Sequence, residues 1–407
     1  MRVCFLVGAF PSLSETFVLG QITGLMDRGH DVRVLAGACS GEGVVHPEIL
    51  RRGLLSRVCY YQDKPKNSLW RILVFLAYLP GVWLAAPGVV LKALDVKRYG
   101  KEALSLNLFF KARAFLSARD CDVVVAHFGV NGLEGALMRD LGAMKCPMVV
   151  FFHAIDLSVY PRRYGRDVYR HLFESTRCVL PISVYAKTKL LELGCPEHKI
   201  KIHPMGVALP VLKDHSRGPL FHLLSVARLV DKKGIVYALE AVAQLKAWGV
   251  PLVYTVIGDG PLMASLKSRL CDLGLEGCVT LTGWQDASGV AQHLLSADVL
   301  VAPSILADNG DEEGVPVVLM EAMAQGVCVV STPTGGIAEL VSHGKTGVLV
   351  PPQDAAALAV ALKMLWDDPC KAAVLARQGR AVVEQRHDIL RLNDALEVFL
   401  QELAHDQ

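Results

Sequence analysis

The chain has 407 residues, 52% of them hydrophobic and 20% charged, enough for two domains that each bury a core; this excludes disordered, collagenous and all-membrane chains. The formal net charge of +2 is unevenly spread: residues 51–120 carry 13 Lys and Arg against 4 Asp and Glu, a surplus of +9 that leaves −7 elsewhere. The first half therefore suits an anionic partner, a membrane surface or a charged substrate, while the absence of any nucleic-acid-binding motif argues against nucleic acid.

In chain order, Met1 to Val7 reads at once as a strand, without a basic leader region or a small-residue cleavage site, so the expected location is the cytoplasm. Short apolar runs then alternate with helix-length amphipathic stretches, the pattern of strand-helix units and parallel sheets. The predicted strands of the first half are 3–7, 31–35, 123–127, 148–153, 178–182 and 200–203. After the first of these, Ser14 is placed to cap a helix. Residues 72–91 contain no charge and are long enough to cross a bilayer. Pro80-Gly81 and Pro87-Gly88 interrupt them, however, and a crossing would put strands of one sheet on opposite sides of the membrane. The expectation is two short apolar helices rimmed by Lys64, Lys66, Arg71, Lys92, Lys97, Arg98 and Lys101, with Trp70 and Trp83 as interfacial anchors. They either lie on anionic lipid or are buried in the domain beneath a solvated rim.

Residues 206–219 contain Gly and Pro, lack periodicity and read as a linker. A second set of predicted strands follows at 220–227, 252–257, 279–282, 299–302, 327–331 and 347–350, so each half is Rossmann-like. Ile389, Leu392, Leu396, Phe399, Leu400 and Leu403 recur at helical spacing and predict a docking helix. The expected division is 1–205 with 389–407, then 220–388. Eleven cysteines with no Cys-x-x-Cys pair predict reduced thiols filling the core, not a disulfide framework or a zinc site.

The candidate chemistry begins where the second half's first strand ends. Arg228-Leu229-Val230-Asp231-Lys232-Lys233-Gly234 puts cations at the carboxyl end of a parallel strand, where such sheets bind ligands. They read either as a diphosphate clamp or as a solvated strand end. Gly258-Asp259-Gly260-Pro261 makes a tight turn that lets a flat ring approach the backbone. The run Glu313-Gly314-Val315-Pro316-Val317-Val318-Leu319-Met320-Glu321 crosses a loop-to-helix junction. Glu313 is expected at the helix mouth, Pro316 in the first turn and Glu321 two turns inside. A helix mouth favours an anion, and carboxylates beside it accept from sugar or ribose hydroxyls. The plainer reading is a solvated acidic loop, Asp308, Asp311, Glu312 and Glu313, before a core helix. In the first half His127 and His153 end two strands, with Asp156 three residues further on, and each reads as structural or as substrate-lining. Gly344-Lys345-Thr346 is not a phosphate loop, because the earlier glycine that motif requires is Glu339 and a strand follows it. Gly8 lacks the further glycines of a dinucleotide fingerprint.

Arg-x4-Lys-Gly, Gly-Asp-Gly-Pro, Ala297-Asp298-Val299-Leu300-Val301-Ala302-Pro303-Ser304, Glu-x7-Glu, Gly335-Gly336-Ile337-Ala338-Glu339 and Gly344-Lys345-Thr346-Gly347 occur in one order. That order and spacing resemble a family 4 retaining glycosyltransferase of the GT-B fold. The insert Asp308-Asn309-Gly310-Asp311-Glu312 and the segment Pro11 to Val18 resemble its colanic-acid-type exopolysaccharide branch. The resemblance spans nearly the whole chain and is more specific in the second half. It implies two Rossmann-like α/β domains facing across a cleft, with Arg228 and Lys233 on the donor diphosphate, Glu321 on the ribose and Glu313 on the donor sugar. Gly258 and the Gly314, Val315, Pro316 and Val317 backbone would also meet the donor, His153 the reacting sugar, and Ser14, Thr16, His127 and Asp156 the acceptor or a phosphate. It further implies a nucleotide-sugar cosubstrate, UDP-linked ahead of GDP-linked, with no required cofactor or metal, and a lipid-linked or growing oligosaccharide acceptor. The protein would sit peripherally on the inner face of the cytoplasmic membrane. Two departures stand out: Ser14-Glu15-Thr16 where the broader family often has adjacent glycines, and Met205-Gly206-Val207-Ala208 where many relatives have Asn-Gly-Val-Asp. The competing readings are a UDP-sugar epimerase of similar architecture and a catalytically silent nucleotide-sugar-binding protein.

Overall fold

A computed structural model describes residues 1–12, 15–41, 45–212 and 218–405. The first half is a six-stranded parallel sheet of β1 (Arg2–Ala9), β2 (Asp31–Ala38), β3 (Val58–Tyr60), β4 (Val123–His127), β5 (Met148–Phe152) and β6 (Cys178–Pro181), in the order β3-β2-β1-β4-β5-β6. The second repeats that order with β7 (Phe221–Val226), β8 (Leu252–Ile257), β9 (Val279–Gly283), β10 (Val299–Ala302), β11 (Cys328–Ser331) and β12 (Val348–Leu349), as β12-β11-β10-β7-β8-β9. Strand order reverses between β1 and β4 and again between β7 and β10. In open parallel sheets the crevice at the carboxyl ends of such a pair is where ligands sit.

The helices used below are α1 (Thr16–Asp27), α2 (Ser68–Ala85), α3 (Pro87–Ala93), α4 (Asn107–Leu116), α5 (Gly129–Leu141), α6 (Val184–Glu192), α7 (Ile235–Ala247), α8 (Val317–Ala324) and α9 (Ile389–His405). The β4 and β5 runs Val-Val-Val-Ala-His and Met-Val-Val-Phe-Phe are buried at every position, as expected for strands covered by helices on both faces. One apolar cluster includes Phe5, Val149 and Ile182 of the first half together with Val315 and Leu319 of the second, so the halves share a core. The chain returns across this junction: Val207 N–H donates to His387 O at 2.8 Å, and Ile389 N–H to Val207 O at 3.1 Å. Helix α9 then packs on α1, with Leu396, Phe399, Leu400 and Leu403 buried and His30 Nε2 2.8 Å from Glu397.

Several expectations need correction. Residues 200–203 form no strand; Ile200 makes one isolated bridge to Val179, and the sixth strand is instead the three-residue β3, too short to carry an alternating pattern. Pro80 does not end a helix: α2 runs through it. A proline ring frees the carbonyl four residues earlier, and both Pro80 and Leu76 lie on the exposed side of the helix. Burial is overturned for α2, whose one buried residue is Val82, but holds for α3, which buries Val89, Val90 and Ala93. Pro316 is the N-cap of α8, not its first turn, so Glu321 sits about one turn inside, not two. All eleven cysteines are free; Cys39, Cys271 and Cys370 are exposed, and Cys59 and Cys278 are partly so, so the remaining six alone fill the core.

Candidate active site

The carboxyl ends of the two sheets meet. Past β10, the turn before α8 brings Gly314 against the other half, where a Cβ on it would lie 3.2 Å from Ile182 Cδ1 and 3.6 Å from Ala154 Cβ. Ala154 directly follows His153, so the mouth of α8 adjoins that histidine's strand end. Gly335, at φ 58°, lies close behind: a side chain there would overlap the Glu313 carbonyl oxygen, and Gly336 N–H donates to Gly314 O at 3.0 Å. Only glycine allows this second loop to hold the first from behind.

Glu313 is 6% exposed, which removes the solvated-loop reading for this residue. Its carboxylate lies 2.6 Å from Lys233 Nζ. Burial pushes its pKa up, but the charges of Lys233 and Lys232 outweigh that and hold it below the usual value. Lys232 pairs with Asp311 at 3.0 Å. Arg228, on the loop after β7, is exposed and has no ion-pair partner among the described residues. Glu321 likewise has none, and burial raises its pKa. The bare face of Gly258 is turned to the Ala227 carbonyl, so its lack of a side chain accommodates the neighbouring strand end.

On the facing side, His153 is the residue just past β5, 6% exposed, with burial lowering its pKa to about 3. It is therefore a neutral imidazole across the physiological range. Three rings surround it: Phe128 at 4.4 Å, Phe17 at 5.0 Å and His127 at 5.6 Å between centroids. Phe128 adopts φ 71°, an uncommon conformation for a bulky side chain and a strain that recurs at functional sites.

His127 and Asp156 are both fully buried and touch His153, which favours the structural reading of each. His127 is fully buried between Phe5 and Phe151, with near-parallel rings. Its Nε2 lies 3.0 Å from Gln21 Oε1 and its Nδ1 3.3 Å from His153 Nε2. With Gln21 Oε1 accepting, His127 carries its proton on Nε2, and its Nδ1 accepts from His153 Nε2–H. Burial, then the neighbouring His153 and His203, push its pKa well below the usual range. Asp156, also fully buried, accepts from His153 N–H at 2.9 Å. Burial pushes it up to about 7, against hydrogen bonds from the amides of His153, Gly129 and Val130. It ties the end of β5 to the start of α5, and so sets where His153 stands. Thr16 opens α1, partly exposed, beside Phe17, and Ser14 lies outside the described residues.

Sequence reading missed Gln21, Phe17, Phe128 and the contacts that join the halves. Gln21 left a signal: it is a polar residue on the same buried face of α1 as Val18, Ile22 and Leu25. The joining contacts left none, because their partners are far apart in sequence. Glu339 accepts from the amides of Val184 at 2.8 Å and Tyr185 at 2.5 Å at the start of α6, and the Tyr185 hydroxyl donates to Glu312. Among the described residues no cluster of three or more His, Cys, Asp or Glu could hold a metal.

Residues 14–209 match the model of Glycosyltransferase Family 4 and residues 215–382 that of Glycosyl transferases group 1. The chain is 38% identical to the putative colanic acid biosynthesis glycosyltransferase WcaL of Salmonella typhimurium, over 89% of this chain and 90% of that one. It is 36% identical to the amylovoran biosynthesis glycosyltransferase AmsK of Erwinia amylovora, over 94% and 95%. Among solved structures, Anabaena HepE in complex with UDP superposes with a TM-score of 0.74 at 20% identity, over 99% of this chain and all of that one. Sucrose-phosphate synthase of Thermosynechococcus elongatus gives 0.76 at 18% identity, with both chains fully covered. Two parallel sheets of this order, meeting at their carboxyl ends and matched along nearly their whole length by these relatives, place the chain in the glycosyltransferase family that joins a family 4 domain to a group 1 domain in the GT-B fold.

Proposed function

We propose that this protein transfers a hexosyl group, with retention at the anomeric carbon, from a UDP-linked sugar to a lipid-linked or growing oligosaccharide in exopolysaccharide synthesis, working peripherally at the cytoplasmic face of the membrane. The observation that carries the reading is the junction at Gly314: the mouth of α8, with Glu313 and Lys233, abuts the strand end that bears the neutral His153. The relatives' names, which refer to colanic acid and amylovoran, support a polysaccharide product. The complexes of HepE with UDP and with UDP-glucose support the donor class.

In this reading 1–205 with 389–407 takes the acceptor, 220–388 takes the donor, and 206–219 links them. Glu321 accepts from the ribose hydroxyls, Glu313 from the donor sugar, and His153 meets the reacting sugar. The bond from the anomeric carbon to the diphosphate oxygen breaks while a bond to the acceptor oxygen forms on the same face, and the departing phosphate oxygen takes the acceptor's proton. No enzyme nucleophile is needed. Charge growing on the diphosphate is met by Arg228, by the free amides at the mouth of α8, and by Lys233, which moves from Glu313 towards the phosphate. Glu313, released from its ion pair, then accepts from a sugar hydroxyl. Contact between the halves keeps water from the donor.

The test is to incubate the protein with UDP- and GDP-sugars and lipid-diphosphate-linked saccharides, following product mass and anomeric configuration. One added hexose with retained configuration and stoichiometric UDP release is expected. An epimerised nucleotide sugar without acceptor, an inverted product, or no transfer from any donor would overturn the reading.

A further inference from the structure

Helix α2 spans 18 residues, about 27 Å, and shows solvent an apolar face with no place in a soluble fold. Leu84 is 85% exposed, Leu69 72% and Trp70 59%, and Leu73, Leu76, Ile72 and Trp83 lie exposed on the same side, with Leu91 of α3 beside them. On its opposite side, Phe75 packs edge-on against Phe109 of α4 at 4.6 Å, Val82 is buried, and Val74 and Leu79 lean on the first half's core. The helix is thus fastened lengthwise to the domain, and the chain re-enters the same sheet at β4. It cannot cross a bilayer in this fold.

We infer that α2 is an in-plane membrane helix, held in the lipid-water boundary by its apolar face, and that apolar contact, not basic charge, provides most of the attachment. This deepens the membrane part of the proposed function and rests on that reading only for the acceptor's approach. Most of the basic side chains around α2 keep their charge but are tied down by the protein, which holds them from reaching lipid phosphates. The Arg71 guanidinium donates to the carbonyls of Pro65, Lys66 and Ser105, Lys64 to Asn107, Lys92 to Asp140 O and Arg119 to Ala85 O. Arg113 lies 4.1 Å above the Tyr78 ring. Lys66, Lys97 and Lys101 remain exposed without a partner among the described residues, enough to orient the helix on an anionic leaflet but too few to hold it there alone. Trp70 and Trp83 sit near the helix ends, where indole rings prefer the boundary layer. The carbonyl freed by Pro80 needs the water that persists at that depth.

Charge separates lipid from a second copy of the chain. Helix α2 has no acidic side chain, and its region carries a surplus of +9, so pairing two copies face to face would set like charges together. The helix also starts beside the expected acceptor side: Tyr61 and Gln62, which lead into it, flank Gly37 together with the Gly8 carbonyl at the end of β1. A saccharide carried on lipid therefore arrives where the first sheet's carboxyl edge can take it.

Flotation with vesicles of phosphatidylcholine alone, and of phosphatidylcholine with phosphatidylglycerol, tests this directly. Wild type is expected on both, with a blue shift in tryptophan emission and less than about a twofold loss on raising salt to 1 M. Leu73→Glu with Leu76→Glu should lower binding about tenfold or more on both, whereas Lys66→Glu, Lys97→Glu and Lys101→Glu together should remove only the anionic preference. UDP affinity, measured by calorimetry, should stay unchanged in all variants and shows that they fold. Wild type free of neutral vesicles, complete release by salt, or unchanged binding of the leucine variant would overturn the inference. So would a dimer in light scattering that this variant dissociates, which would assign the face to a second copy. Vesicle binding needs no turnover, so a protein that binds lipid yet transfers no sugar refutes the proposed function and leaves this inference standing.

Discussion

Arg228 and Lys233 occupy adjacent places in the sequence motif, yet the structure makes them unequal. Lys233 is the counter-ion of a buried carboxylate, while Arg228 is exposed. Lys233→Ala should therefore weaken UDP binding and also destabilise the fold by about 3 kcal/mol, because it leaves Glu313 buried and unpaired. Adding Glu313→Gln should restore most of that stability without restoring transfer. Arg228→Ala should weaken UDP binding with thermal unfolding unchanged. Equal melting temperatures for the two single variants would show that the pair carries no structural weight. His153 calls for a different comparison: His153→Ala should leave UDP affinity intact and lower transfer at least about tenfold. Gln21→Leu, which removes the acceptor for His127 Nε2–H, should reproduce part of that loss by freeing the tautomer. Calorimetry beside single-turnover rates checks both, and a large loss of UDP affinity in either variant would move the histidines to the donor side.

At the scale of elements, Glu312 before α8 and Glu339 beyond β11 fasten the halves. Glu312 accepts from Tyr185 and Glu339 accepts from the first amides of α6, whereas Asp311 holds Lys232 within the second half. Carboxylates at a helix start are stabilising through the unpaired amides and the helix dipole. Glu339→Ala together with Tyr185→Phe should lower stability by about 1 kcal/mol, given the exposure of Glu339. The clearer effect should be a higher ratio of donor hydrolysis to transfer, since looser halves admit water. An unchanged ratio would show that these contacts form only as a by-product of closure.

At the scale of the molecule, buried ionisable groups set the response to acid. His153, His203 and His127 all have depressed pKa values, the first to about 3 and the second to about 4, each chiefly through burial. The unfolded chain takes up these protons near pH 6.5 and the folded chain only far below it. The stability they contribute is complete above about 6.5 and is lost as pH falls towards 4 and 3. Asp156 acts in the opposite sense: its pKa, raised to about 7, makes folding more favourable as pH drops from 7 to about 4. His387, depressed by burial, joins the three histidines, and Glu321, raised by burial, joins Asp156; four groups against two leave a net loss, so the melting temperature should fall by several degrees between pH 7 and pH 5. His203→Gln should flatten the slope, and an unchanged melting temperature across that range would show that the histidines are hydrated.

The periodicity of the chain by itself determined all but one strand of the two parallel sheets and the docking of α9, because strands buried on both faces read as continuous apolar runs and an amphipathic helix announces its stripe. The loop-to-helix junction from Glu313 to Glu321 was legible for a similar reason, since a glycine-bearing loop before a helix is a local arrangement. Tertiary structure alone decided which charges are spent. Glu313 paired with Lys233, Arg71 bound to carbonyls and His127 enclosed between phenylalanines are outcomes of contacts between residues remote in the chain. The clearest instance is α2. Its composition suits a buried helix and a membrane helix equally, and only the packing of α4 against one side shows which face was left exposed.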